Sequence, residues 1–381
     1  FSVYSLGVSA FFRNKIMAMI VSINIVSVAL DIVWLFQGME EFGRIVLRDT
    51  FVKISTILLI FTFVKREQDM YIYALIMSIS PVVSALSLWP FVRKYVDKID
   101  LRKIQPFKDF KNVMALFIPT LAISIYAMLD KTMIGLFTTT KVENGYYEQA
   151  TKLSKTALTV VTSLGTVMIP RISYYFEKKQ TDLIELYMLK SYRFAFLLGF
   201  PICFGLMGIS SNLVPWFYGT GFEKVAVLLK VSSFLVIAIG LSNITGLQYL
   251  VPTKQQDKLT KSVCLGAFVN VVLNMFLIPR FYSVGAAIAS VLAEFSVTII
   301  QFIYVKDQLN MKNIVKMIPG YFFSSIIMLV ILEIETFVLP QTALATIFMI
   351  ISGGAIYFLT LFIIKDSFVF EIIGLIKKKI R

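Results

Sequence analysis

Apolar stretches of about twenty residues recur along the whole of this 381-residue chain, each long enough to cross a hydrocarbon layer roughly 30 Å thick. That recurrence leaves little choice of fold. A segment in hydrocarbon must satisfy its own backbone, so it is either a helix or one strand of a closed barrel. Barrel strands read as about ten alternating residues, whereas these runs are longer and apolar on all sides. The chain is 57% hydrophobic and only 16% charged, with a mean hydropathy of +0.79. Ordinary soluble domains are about half apolar. An all-α polytopic membrane protein is expected.

Reading apolar runs between polar breaks gives eleven spans, near 16–37, 45–64, 70–92, 113–137, 147–170, 194–217, 226–250, 262–279, 283–305, 316–337 and 342–364. Lys and Arg orient them. The alternate connections 38–49, 93–112, 171–193, 252–261, 306–316 and the tail from Lys365 carry 2, 7, 5, 3, 3 and 5 basic residues, 25 in all. The intervening connections carry 5. Cytoplasmic loops hold the basic excess, so the first set and the C-terminus are expected inside. This also accounts for the formal net charge of +14 as an anchor beside anionic lipid, with no nucleic-acid partner implied. Cys203 and Cys264 both fall in apolar runs, which argues against a disulfide framework, and the chain has no His.

Sliding the sequence against itself by 212 residues superimposes spans 16–37, 45–64 and 70–92 on 228–249, 257–276 and 282–304. Asp31 then meets Asn243, with Ala74/Ala286, Ser78/Ser290 and Ser84/Ser296 also matched. An offset of six helices preserves direction, the arrangement of transporters built from two parallel halves with substrate held between them. Counting six helices per half, and two after 305, implies fourteen, of which about eleven are present here. The chain opens on FSVYSLG without an initiator Met, and three preceding helices would satisfy both the repeat and the charge bias. The expected divisions are 1–92, the remainder of an N-terminal lobe; 93–112, a basic inter-lobe linker; 113–305, a C-terminal six-helix lobe; and 306–381, a terminal helix pair with a basic tail.

Ionisable groups within spans cost about 2.5 kcal/mol or more each and mark functional positions unless they snorkel or pair. Arg48, Lys53, Lys131, Lys152 and Lys155 cluster in the first five spans. They are the candidates for lining a wet, positive cavity suited to a phosphate-bearing substrate. Asp31, Asp130 and Glu294 are the candidate counter-charges or coupling-ion sites. Lys230, Glu333 and Glu335 lie nearer span ends and are read as structural. Gly199, Gly205, Gly208 and Pro201 either make span 194–217 bendable or serve close packing.

These residues fall in recognisable company. DIVWLFQGMEEF (31–42), LDKTMIG (129–135), NGYYEQATKL (144–153), IPRIS (169–173), FYGTGF (217–222) and GAAIASVLAE (285–294) together resemble polysaccharide repeat-unit flippases, the O-antigen and capsule translocases of the MOP superfamily. The resemblance covers nearly the whole chain. It implies a MOP/MATE-like two-lobe helical transporter in a bacterial cytoplasmic membrane. It implies as substrate a lipid-linked oligosaccharide on undecaprenyl pyrophosphate, with membrane lipids and other polysaccharide-assembly membrane proteins as partners. It places Gln37, Gly38, Glu40, Gly135 and Tyr146 among the family's motif residues, beside the charged candidates above. No organic cofactor or metal is expected; a coupling ion, proton or sodium, is left open. Lipid II flippases and cation-coupled drug exporters of the same superfamily are the nearest alternatives, the cation cluster arguing against the latter. A membrane polymerase or glycosyltransferase would need a large polar loop, and the longest non-membrane stretch is about twenty residues. A scaffold or lipid-scrambling role would tolerate charge reversal at Lys53 or Lys131.

Overall fold

The computed structural model describes residues 15–92, 94–95, 107–108, 110–138, 142–366 and 368–371. The linker 93–112 lies largely, and the tail GLIKKKIR wholly, outside them. All regular structure among the described residues is helical, and each of the eleven expected spans falls on helix. Seven helical segments are long and apolar enough to cross a membrane, or eight if one bent pair counts as a span. The chain divides into two compact units, Phe1–Pro106 and Phe107–Arg381.

The first unit holds α1 (Lys15–Leu30), α2 (Val33–Gly38), α3 (Phe42–Phe63), α4 (Met70–Leu86) and α5 (Trp89–Val92). Its interfaces are made by small side chains, which let helices approach where no hydrophobic effect drives them together. Ser22 and Ser27 of α1 and Ala74, Ser78 and Ala85 of α4 are buried, and Asn24 Nδ2 donates to Ser78 Oγ at 3.2 Å. The larger apolar side chains face outward, Val28, Leu47 and Phe51 among them. Span 16–37 is not one continuous helix. It breaks at Asp31–Ile32, where Asp31 Oδ1 accepts from the Val33 backbone N–H at 2.9 Å. An acid here satisfies a donor freed by the helix restart, as N-terminal caps do.

The second unit holds α6 (Phe110–Phe137), α7 (Val142–Thr162), α8 (Gly165–Glu177), α9 (Thr181–Tyr218), α10 (Glu223–Ser232), α11 (Phe234–Asn243), a π-helical segment (Ile244–Leu250), α12 (Gln256–Val305), α13 (Met311–Val338) and α14 (Ala343–Ile363). Span 147–170 bends by 41° between α7 and α8. By contrast, α9 is unbroken through Pro201. Its glycines serve packing: a Cβ on Gly208 would lie 2.7 Å from Leu332 Cβ on α13. Phe196, Phe200 and Phe204 of α9 meet Tyr321 and Phe322 of α13, seating the terminal pair. Lys230 and Glu333 form an ion pair at 2.9 Å, the structural role expected of them. Cys203 is buried and Cys264 exposed, both free thiols.

The run α12 contains two expected spans joined by a non-helical residue, Tyr282 (φ 53°, ψ −131°). Its halves fold back on each other. A Cβ on Gly266 would lie 2.2 Å from Val297 Cγ2, and one on Gly285 would lie 2.3 Å from Leu277 O. At Gly285 the obstacle is backbone, which cannot swing aside. Gly285→Ala is therefore expected to cost roughly 1–3 kcal/mol through overpacking, read as a lowered thermal midpoint in detergent. Gly354→Ala, with no atom within 4 Å of the added carbon, should leave the midpoint unchanged.

The 212-residue offset holds in the backbone. The break at Asp31–Ile32 falls on Asn243–Ile244, where α11 gives way to the π segment, and the start of α4 at Met70 falls on Tyr282. Ala74/Ala286 and Ser78/Ser290, identical across the offset, are buried in their respective units.

Candidate functional site

A cavity of about 990 Å³ opens in the second unit between α6, α7, α11, the π segment and α12, at the upper end of the range typical of ligand sites. Five expected site residues line it together: Asp130, Lys131, Lys152, Lys155 and Glu294. Asp130 and Lys131 come from α6, Lys152 and Lys155 from α7, where a spacing of three puts them on one face, and Glu294 from α12.

Asp130 is 2% exposed and is the acceptor of a dense cluster. The Tyr147 hydroxyl and Ser290 Oγ both donate to its Oδ2 at 2.7 Å, and Asn274 Nδ2 donates to Oδ1 at 2.6 Å. Asn274 Nδ2 also reaches Asn270 Oδ1 at 3.1 Å, while Asn274 Oδ1 and Asn270 Nδ2 are buried without partners among the described residues. Neutral donors from α7 and from the two halves of α12 thus meet at one carboxylate. Glu294 lines the same cavity and is 8% exposed.

The cations divide. Lys131 Nζ is ion-paired to Glu148, a residue the sequence reading missed because it lies one turn into a span as an ordinary helix acid. Lys152 and Lys155 are exposed to the cavity, and among the described residues neither has a carboxylate partner. With Glu148 included, the lining holds three acids (Asp130, Glu148, Glu294) and three lysines. The expected cation-rich wall is in this unit a balanced one.

Arg48 and Lys53 belong to the first unit. Arg48 donates to Asp49 Oδ1 at 2.7 and 3.1 Å and to Ser84 O at 3.0 Å, at one side of an apolar groove of about 620 Å³ between α3 and α4. Lys53 is exposed and does not line that groove. Asp31 is exposed and accepts from the Val33 backbone N–H at the helix break.

Gln37 and Gly38 end α2 and Glu40 lies in the turn to α3, adopting φ 56° and donating its N–H to Gln37 O at 3.1 Å. Within that motif Glu41, not singled out from sequence, makes several side-chain contacts. It receives Arg44 Nε at 2.8 Å, Lys94 Nζ at 3.3 Å and the Tyr95 hydroxyl. The Tyr95 hydrogen bond, with those cations beside it, holds its carboxyl below the usual range.

Gly135 and Tyr146 lie at an end of the second unit. Gly135 allows α6 to approach Asn144, whose Nδ2 would lie 3.2 Å from an added Cβ. The Tyr146 hydroxyl donates to Gly221 O at 2.8 Å and its ring meets Phe222 edge-on, so two motifs, NGYYEQATKL and FYGTGF, close on each other. Nearby, Glu143 receives Lys224 Nζ at 2.6 Å and Ser283 Oγ at 2.5 Å. Connections 138–146, 218–225 and 280–282 therefore gather at one end. Lys254–Glu177 (2.7 Å) and Gln255–Gln308 (2.8 Å) gather the alternate connections at the other, as the charge alternation requires.

The comparisons fit this geometry. A family model described as "Polysaccharide biosynthesis protein" matches residues 6–176. A putative O-antigen transporter of Escherichia coli (strain K12) is 24% identical over 277 residues, 72% of this chain and 66% of that protein. A probable low-salt glycan biosynthesis flippase of Haloferax volcanii is 24% identical over 227 residues, 58% of this chain and 48% of its own. This chain thus spans just under two thirds of the former and about half of the latter. Among solved structures, an inward-closed lipid II flippase superimposes with a TM-score of 0.67 at 16% identity, covering 93% of this chain and 75% of that one. An outward-facing multidrug-resistance MATE transporter gives 0.65 at 14%, covering 83% and 75%. The fold is similar to that of both structures, the second a transporter of the MOP superfamily, and its several long apolar helices are those of a multi-pass membrane protein. The matches bear out the resemblance to the polysaccharide flippases of that superfamily. The named relatives are transporters and flippases, which are not enzymes.

Proposed function

We propose that the protein moves a lipid-linked oligosaccharide repeat unit, carried on undecaprenyl pyrophosphate, from the cytoplasmic to the outer leaflet of a bacterial cytoplasmic membrane by alternating access. One observation carries this reading: Lys152 and Lys155 face the cavity of the second unit without acid partners among the described residues. Unpaired lysines are point charges suited to phosphate oxygens. The pyrophosphate head then sits on Lys152 and Lys155, with Lys131 restrained by Glu148. A proton or sodium ion at Asp130 removes one of the three negative charges and leaves the lining net positive. Cation and anionic head group would then favour each other's binding, and by linkage the effect is reciprocal. In this reading 113–305 forms the substrate-bearing lobe, the C-terminus is cytoplasmic, and other polysaccharide-assembly membrane proteins are partners.

The equal number of acids and lysines favours, as a second reading, export of a cationic drug. The test is complementation of a bacterial strain lacking its repeat-unit flippase, scored as surface polysaccharide. Restoration supports the proposal; no restoration together with raised drug resistance supports the second reading. In the same assay Lys53→Glu tests the first unit: normal polysaccharide removes Lys53 from the substrate path, and loss restores it.

A further inference from the structure

The cavity is graded along its length, and the grading assigns it a second subsite. Ser290, Glu294, Val297 and Gln301 line it from the second half of α12. Eleven residues separate the first from the last, about 16 Å of helix. Asp130, Tyr147 and Ser290 meet at one level. Glu148, Lys152 and Lys155 follow along α7, and Glu294 along α12. Beyond them the charged lining stops. The far end is walled by Leu158, Leu259 and Val263 and carries Ser242, Asn243 and Gln301 as its polar groups on the α11 and α12 sides.

These amides are built into place. In an α-helix, residues five apart point about 140° from each other. The π segment that follows Asn243 widens the turn, and Gln248 Nε2 reaches Asn243 Oδ1 at 3.4 Å. Two glycines make room for the group. A Cβ on Gly165, at the bend between α7 and α8, would lie 3.2 Å from both Asn243 Oδ1 and Gln248 Nε2. One on Gly246 would lie 3.1 Å from Gln301 Nε2. Yet the cluster does not satisfy itself. Gln301 is 1% exposed and donates to Ser262 Oγ at 3.2 Å, but its Oε1 is buried with no partner among the described residues, as is that of Gln248. A buried amide oxygen left without a donor is costly, and Gln301 borders the cavity.

We infer that this end reads the neutral sugar next to the diphosphate, Gln301 and Asn243 exchanging hydrogen bonds with its hydroxyl or N-acetyl groups. The inference rests on the proposed function, since it places the phosphates on Lys152 and Lys155. An acidic sugar is disfavoured there, because no cation lines that level among the described residues.

The test is equilibrium binding to the purified full chain in lipid nanodiscs. The probes are undecaprenyl pyrophosphate, bare or bearing one N-acetylhexosamine or one hexose. The wild type is expected to bind at least one glycosylated form roughly tenfold tighter than the bare lipid, the effect of one or two neutral hydrogen bonds. Gln301→Leu and Asn243→Leu should erase that difference and leave bare-lipid affinity unchanged. Should Gln301→Leu also lose the bare lipid through misfolding, Ser242→Ala/Asn243→Ala on the opposite wall decides by the same comparison. Equal binding of all three probes by the wild type, or a preference that survives these variants, overturns the sugar subsite and leaves the phosphate reading standing. A wild type that binds none of the probes overturns both.

Discussion

Asp130→Asn is expected to fold normally and to lose transport. The amide matches the carboxylate in shape. Its Oδ1 still accepts from Asn274, and its new NH2 donates to the Tyr147 and Ser290 hydroxyls, which turn to accept. What disappears is the charge. If that charge holds the coupling cation, surface polysaccharide in the complemented strain should fall at least about tenfold, equivalent to roughly 1.4 kcal/mol, with the thermal midpoint within a few degrees of wild type. Asp130→Ala should behave differently, because it removes the acceptor shared by Tyr147, Ser290 and Asn274 and leaves at least one buried hydroxyl proton without a partner, at about 1–3 kcal/mol, and it should lower the yield of folded protein. Unimpaired transport by Asp130→Asn would remove the coupling role.

The second large effect is expected from Lys152→Glu/Lys155→Glu. Two unit charges 4 Å apart interact by about 4 kcal/mol at an effective dielectric constant of 20. Reversing two lysines beside a diphosphate should therefore abolish surface polysaccharide. The double Gln variant should give an intermediate level. Folding should be spared, since neither lysine has a carboxylate partner among the described residues. Lys131→Gln is the informative control. Its charge is already engaged by Glu148, so its loss should cost less than that of Lys152. Full polysaccharide from the double Glu variant would move the phosphate site elsewhere.

How far the sequence anticipated this can be read from single residues. Span lengths and loop charge follow from the solvent: hydrocarbon demands long apolar helices, and anionic lipid sorts lysine, while the 212-residue offset is legible as a repeat of helix boundaries. Asp130, Lys131, Lys152, Lys155 and Glu294 stood out as ionisable groups within apolar spans, and the cavity lining brings them together. Their partnerships did not stand out. Glu148 neutralises Lys131 from the next helix, and nothing along the chain announces a contact set by interhelical rotation. Asp31 read as an intramembrane charge because its helix was taken as unbroken. Its hydrogen bond to Val33 N–H shows the carboxylate serving the backbone. The Asn243–Gln248 contact was equally hidden, because a π turn leaves no mark in a pattern read at 3.6 residues per turn.

The coincidence of Asp31–Ile32 with Asn243–Ile244 has an evolutionary consequence. If the halves descend from one duplicated ancestor, the place where the main chain yields has outlasted the side chain that once marked it. One copy keeps the acid and a gap; the other has an amide and a widened coil. Inheritance at this point has preserved a mechanical joint more faithfully than a chemical group, so distant kin are better aligned by where their helices give way than by which residues they share.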